Sequence, residues 1–155
     1  MTRLPWPVLD GEKMKFSHIG FGVNDIRTTM AAYADLAGFE WDTVQEHDVP
    51  LRGPSGEAEP SRALIAHGTT SDGLVIELSQ QIGGETPDQF LLRGREGVSH
   101  VAFTVDDLAA ERARLVGSGY RIIKEGSAER AKWLFVQDDR LGGTLVQLVE
   151  YLNGP

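Results

Sequence analysis

One pattern occurs twice in this chain, FSHIGFGVNDI at 16–26 and VSHVAFTVDDL at 98–108. Ser17 and Ser99, His18 and His100, Phe21 and Phe103, Val23 and Val105, and Asp25 and Asp107 are identical pairs at an offset of 82. A stretch with helical spacing follows each copy, then a glycine–aromatic pair, Gly38-Phe39 in one half and Gly119-Tyr120 in the other. The halves also end alike, with GLVIELSQ (73–80) lying over GTLVQLVE (143–150) at an offset of 70. Periods of about 20 to 50 residues mark solenoids, and this one is longer and occurs only twice. A duplicated domain accounts for it. The loops absorb the change of offset, chiefly the Gly/Pro/Glu-rich segment 50–60, which reads as a solvated insertion.

Periodicity assigns the elements. In 16–23, Ile19, Phe21 and Val23 alternate with His18, Gly20 and Gly22, and in 100–105 Val101, Phe103 and Val105 alternate with His100, Ala102 and Thr104. Both are strands with one packed face. Asn24-Asp25 and Asp106-Asp107 are helix-start signals, because side-chain oxygens there can accept from free amides of a first turn. Helices are expected over 26–37 and 108–117. Strands at 39–46, 61–68 and 73–80 complete the first module, and strands at 120–125, 132–137 and 143–151 the second. The expected fold is α+β, two tandem βαβββ modules forming a curved mixed sheet around a central cleft. An N-terminal extension takes 1–15, the modules 16–81 and 98–155, and a linker 82–97.

Small residues flank both histidines, Gly20 and Gly22 beside His18 and Ala102 and Thr104 beside His100, so an open cavity is expected there. A lone histidine on such a strand reads as a hydrogen-bonded core residue. Two at equivalent positions point to a shared site. Glu77 lies in LVIELS, where alternation sets Val75, Glu77 and Ser79 against Leu74, Ile76 and Leu78. A carboxylate inside an apolar strand is costly to desolvate unless paired or bound to a metal. The repeat puts Gln147 at the matching place, which gathers His18, Glu77, His100 and Gln147 into one quartet. Imidazole with carboxylate or amide oxygen suits Co, Mn, Zn, Ni or Fe. Glu150 lies three residues beyond Gln147, on the opposite face.

Other residues carry less. His47 and His67 have no repeat partner and read as ordinary strand residues. Glu57 and Glu59 fall in the insertion. Arg93 and Arg95 read as surface charge, or as partners for a phosphorylated carrier. Trp133 and Phe135 alternate on a strand as an aromatic wall or as core packing. Zero cysteines exclude a disulfide framework and thiolate ligands. A net charge of −8 opposes binding to a phosphate backbone, so no nucleic-acid partner is expected. The amino-terminal stretch MTRLPWPVLDGEKMKF lacks an unbroken apolar run, and nothing reaches the ~20 apolar residues of a bilayer span. A cytoplasmic protein with no membrane partner is expected.

H-I-G-F-G-V-N-D-I followed by A-Y-A-D-L-A-G-F, and G-V-S-H-V-A-F-T-V-D-D-L followed by G-Y-R-I-I, resemble the paired modules of the vicinal oxygen chelate superfamily. That group includes glyoxalases, bleomycin-resistance proteins and extradiol dioxygenases. The likeness runs from Phe16 to Tyr151. Within the group, F-L-L-R-G-R-E-G-V-S-H-V-A-F and L-G-G-T-L-V-Q-L-V-E most resemble the methylmalonyl-CoA epimerases. The resemblance implies one divalent metal on His18, Glu77, His100 and Gln147, with Glu77 and Gln147 as the residues nearest the chemistry. Gln147 stands where glutamate is usual, and an amide binds a cation more weakly and takes no proton. The implied activity is metal-dependent proton transfer beside a carbonyl, of epimerase or isomerase type, on a small molecule such as an acyl-CoA. An extradiol-type dioxygenase, a glyoxalase-like lyase and a metal-free binding or resistance protein are the alternatives. A homodimer is expected from the same likeness, and because open sheets leave edges that a second copy can cover.

Overall fold

A computed structural model of the chain describes residues 14–152, so most of the expected N-terminal extension and the last residues of the second module lie outside the described residues. The repeated motifs form two neighbouring strands, β1 (Met14–Gly22) and β8 (Gly97–Val105), which pair antiparallel with Gly20 opposite His100. After β1 come α1 (Ile26–Ala37), β2 (Glu40–Trp41), β3 (Gln45–Asp48), β4 (Leu51–Arg52), β5 (Ala58–Glu59), β6 (Ser61–Thr69), β7 (Val75–Gly84) and α2 (Pro87–Leu92). After β8 come α3 (Leu108–Gly117), β9 (Arg121–Ser127), β10 (Ala131–Gln137), a 3-10 turn at Asp139–Leu141 and β11 (Leu145–Tyr151).

The strands make one mixed sheet in the order β2-β6-β7-β1-β8-β11-β10-β9-β4-β5, with β3 also on β6. The order reflects the repeat. β7 runs parallel to β1 with Glu77 opposite Gly20, and β11 runs parallel to β8 with Gln147 opposite Ala102. Gly20 and Ala102 each lie two residues past a repeated histidine, so the match of Glu77 with Gln147 inferred from the two offsets is a match of register.

Both long helices begin where the aspartates allow. Asp25 accepts from the amide of Thr28 at 3.1 Å, and Asp107 from that of Ala110 at 3.0 Å, each satisfying a first-turn N–H with no helical partner. Gly38 ends α1 in the left-handed conformation (φ 71°) that glycine adopts without strain. The two long helices, α1 and α3, cover one face of the sheet. Val23, Ile26, Phe39, Ala66, Ile76 and Leu78 form the core beneath α1, and Val105, Leu108, Leu115, Leu134, Val136 and Leu148 that beneath α3. Full burial of one such side chain, Ile26 for example, contributes roughly 1.5–3 kcal/mol. The alternate residues Val75, Glu77, Ser79, Phe135, Gln147 and Val149 face the other way, into a cavity of about 490 Å³.

Three expectations are corrected here. The strand expected at 39–46 is two short pieces, β2 and β3, separated at 42–44. The segment 50–60 is no free loop: β4 and β5 pair as a small hairpin that joins β9 of the other half, Arg52 opposite Glu125, with Leu51 3% exposed. The small residues beside His18 do not leave open space. A β-carbon at Gly20 would lie 1.9 Å from Cε1 of His100, and one at Gly22 2.5 Å from Cδ1 of Leu92 on α2. These glycines admit close packing of an imidazole and a helix.

Candidate functional site

Four adjacent central strands each supply one residue of the quartet: Glu77 from β7, His18 from β1, His100 from β8 and Gln147 from β11. Nε2 of His18 lies 3.2 Å from Nε2 of His100, and the Glu77 carboxylate lies 3.5 Å from each of these nitrogens. Ligands held ~2.1 Å from one ion would stand about 3.0 Å apart in octahedral and about 3.4 Å apart in tetrahedral geometry. The two imidazole nitrogens stand at that spacing before any ion is placed, with Oε2 of Glu77 3.5 Å from the His18 nitrogen and Oε1 3.5 Å from the His100 nitrogen. Two imidazoles and a carboxylate are also a suitable donor set for a first-row divalent metal.

Surrounding groups orient each donor. The carboxylate of Asp88 can only accept, so His100 donates through Nδ1 at 2.8 Å and turns the lone pair of Nε2 toward His18 and Glu77. Ser99 donates to the same Asp88 oxygen. Ser17 lies 2.9 Å from Nδ1 of His18, the repeat's version of the Ser99–His100 contact. His67, opposite Glu77 on β6, donates from Nε2 to Glu77 at 2.9 Å, while its own amide donates to Asp42 at 2.7 Å.

Burial pushes the His18 pKa down and so favours the neutral ring that can ligate. Burial would push Glu77 up, but the His67 hydrogen bond and the charges of His100, His18 and His67 outweigh it and hold the carboxyl at about 2. The hydrogen bond to Glu77 pushes His67 up. Burial pulls His100 down, and Asp88 together with the charge of Glu77 more than reverses this, leaving it raised.

Gln147 lines the same cavity, and its Oε1 is buried with no hydrogen-bond partner among the described residues. An unpartnered buried oxygen is costly. A cation beside it would remove that cost. Glu150 points away and accepts from the amide of Leu108 at 2.8 Å, at the start of α3. Trp133 and Phe135 line the cavity, and the Phe135 ring meets His100 edge-on with centroids 5.3 Å apart. His47 lines it too, from β3. Glu59 pairs instead with buried Lys124 at 2.9 Å, and Glu57 does not line the cavity. Arg93 ends α2 in a left-handed conformation and Arg95 donates to the carbonyl of Leu92; neither lines the cavity.

Two participants escaped the sequence reading. Asp88 sits in the segment read as linker, where Thr86 caps a short helix with Pro87 in its first turn. The T-P-D order was a legible helix start, but nothing local showed that the helix would aim its aspartate at a histidine on β8. His67 has no repeat partner, and its sequence setting is that of an ordinary strand residue. The ladder between β6 and β7 sets it opposite Glu77, a register that strand alternation alone does not fix.

A doubled module whose central strands bring two histidines and a glutamate together defines a class of metal-centre-like, duplicated α+β proteins. The chain matches the Glyoxalase/Bleomycin resistance protein/Dioxygenase superfamily over residues 17–136 and belongs to it. It is 29% identical over 150 residues to 4-hydroxyphenylpyruvate dioxygenase of Danio rerio, covering 92% of this chain but only 35% of that protein's length. It is 25% identical over 140 residues to ethylmalonyl-CoA/methylmalonyl-CoA epimerase of Cereibacter sphaeroides, covering 86% of this chain and 96% of the epimerase. In structure it resembles hypothetical protein BH1468 of Bacillus halodurans, with a TM-score of 0.69 at 20% identity over 92% of this chain and 97% of that one. Among the described residues no helix is long and apolar enough to cross a membrane.

Proposed function

We propose that this protein is a metal-dependent enzyme that moves a proton beside a carbonyl, as an epimerase or isomerase does. His18, Glu77 and His100 hold one divalent ion, Co, Mn, Zn, Ni or Fe, with Oε1 of Gln147 as a weaker fourth donor. The observation that carries this reading is the 3.2 Å spacing of the two imidazole nitrogens, each 3.5 Å from one oxygen of the Glu77 carboxylate. When bound, such an ion supplies Lewis-acid stabilisation of an anionic oxygen on the substrate.

The chain's own residues do the rest. Asp88 and His67 hold His100 and Glu77 in place, and apolar side chains make up much of the cavity wall. Gln147 cannot take a proton, so the base lies elsewhere on the wall. Both ring nitrogens of His67 face carboxylates, so it serves Glu77 and is not free to act as that base. An acyl thioester is one candidate substrate, by likeness to the Cereibacter epimerase. A homodimer and a cytoplasmic location complete the proposal; light scattering that shows only monomer at micromolar concentration would remove the first.

A dioxygenase is the second reading. Two histidines and one carboxylate also suit Fe(II), and the Danio relative is named for that activity. Metal analysis of protein purified without chelators should find one divalent ion per chain in wild type and none in His100→Ala, and Gln147→Glu should bind the ion more tightly. Isotope exchange beside the carbonyl supports proton transfer. Oxygen consumption with iron supports the second reading, and absence of any metal uptake defeats both.

A further inference from the structure

The chain between β3 and β6 touches both ends of the sheet. β3 pairs with β6 at one end, Asp48 opposite Arg62, and the Val49 amide extends that ladder by donating to the Ser61 carbonyl at 3.3 Å. Two residues on, β4 pairs with β9 toward the other end. The chain returns through β5 to Pro60, whose carbonyl accepts from the Glu85 amide at 3.0 Å. Residues 49–60 thus form a strap across the gap between the two halves, and the strap is also a partition. Leu51 lines the cavity that holds the His18–Glu77–His100 cluster, Arg52 lines a second groove of about 860 Å³ beside α3, and Val49 and Trp133 line both.

Its two ends are held differently. Backbone bonds at Val49 and Pro60 fix the base, whereas among the described residues the hairpin meets β9 in one register pair, Arg52 with Glu125. The turn is closed on itself, with the Gly53 amide donating to the Glu57 carbonyl and the Gly56 amide to the Gly53 carbonyl. Two side-chain contacts complete the join. Leu51 fills a notch on β9, where a β-carbon at Gly126 would lie 2.6 Å from its Cδ2. Glu59 accepts from the buried Lys124 ammonium at 2.9 Å, and Glu85 lies 3.1 Å from the same nitrogen. Both carboxylates are half exposed, so Glu59 can withdraw into water while Glu85 keeps the ammonium paired. A buried charge left alone would be costly.

We propose that the β4–β5 hairpin is a gate. It swings on its base at Val49 and Pro60, frees Leu51 and Glu59 from β9, and so joins the inner cavity to the outer groove past Trp133. Closed, it walls one space from the other; open, it gives a small molecule a second way in or out. Segments that open locally are those joined by few buried contacts and few backbone bonds, and the hairpin's join to β9 has both properties. The gate goes beyond the proposed proton-transfer chemistry and does not depend on a bound metal.

The chain has no cysteine, so one introduced thiol reports alone. Leu51→Cys puts it under the closed hairpin, and Leu134→Cys puts a control in the core beneath α3; both positions are buried. Labelling by dithiobis(nitrobenzoate) in native buffer should be at least about tenfold faster at 51 than at 134, since local opening frees only the first. Glu59→Gln, which weakens the hold on Lys124, should speed labelling at 51 and leave 134 unchanged. Equal rates at 51 and 134 would mean that the hairpin leaves β9 only when the whole chain unfolds, and would overturn the gate. A rate at 51 unmoved by Glu59→Gln would overturn the role given to the Glu59–Lys124 pair. Leu51→Cys itself thins the contact with β9, so a second variant keeps Leu51. Arg52→Cys with Glu125→Cys joins cross-strand neighbours that lie within disulfide reach. Oxidised, this protein should shield tryptophan fluorescence from acrylamide, and reduction should restore the quenching, because Trp133 borders both spaces. Identical quenching in the two forms would overturn the gate.

Discussion

The imidazole of His100 occupies the space in which any residue but glycine at position 20 would place its side chain, with a β-carbon there standing 1.9 Å from Cε1 and 2.2 Å from Nε2 of the ring. Gly20 lies opposite both His100 on β8 and Glu77 on β7, so one missing side chain lets two of the clustered residues converge. Gly20→Ala should therefore displace the ring. The expected result is loss of bound metal by elemental analysis, with destabilisation of about 1–3 kcal/mol from overpacking in denaturant titrations. Full metal content in a folded Gly20→Ala protein would refute this account.

Asp88 holds the tautomer of His100 from a different element, at 2.8 Å and almost fully buried. Asp88→Ala should weaken metal binding about 10–100-fold, the usual effect of losing such a partner. Competition with a chelator of known affinity measures it. An unchanged affinity would show that the strand alone fixes the ring.

His67 positions Glu77 by donating to one of its oxygens. His67→Ala should lower metal affinity by roughly tenfold, and His67→Gln, whose amide can still donate, should recover part of that loss. A purely structural role predicts instead that melting temperature falls in both variants while metal affinity holds.

Lys124 is buried and pairs with Glu59 at 2.9 Å and Glu85 at 3.1 Å, tying β9 to the β4–β5 hairpin and to the segment before α2. Burial pulls its pKa down, but the hydrogen bonds and charges of Glu85 and Glu59 prevail and leave it raised above the ordinary 10.5. A raised ammonium pKa adds stability that is fully present below the unfolded value and is lost as pH climbs through the folded one. Melting temperatures followed upward from pH 9 should thus show an alkaline loss in wild type that is smaller in Lys124→Met. Parallel curves for the two proteins would remove Lys124 from the account.

The repeat determined much by itself. Alternation named the strands and their faces, the two aspartates marked both helix starts, and the offsets of 82 and 70 matched Glu77 with Gln147 before any register was known. These features are legible because they are local or copied: a period of two fixes which side chains share a face, and duplication repeats each position. The tertiary structure alone decided the rest. It brought His67 to Glu77, aimed Asp88 from α2 at His100, laid the β4–β5 hairpin on the far strand β9, and filled the space beside the glycines. Each of these joins residues through strand order, register and the direction of a short helix. None leaves a periodic trace in the sequence, because those contacts depend on which elements the sheet makes neighbours and not on the residues beside them in the chain.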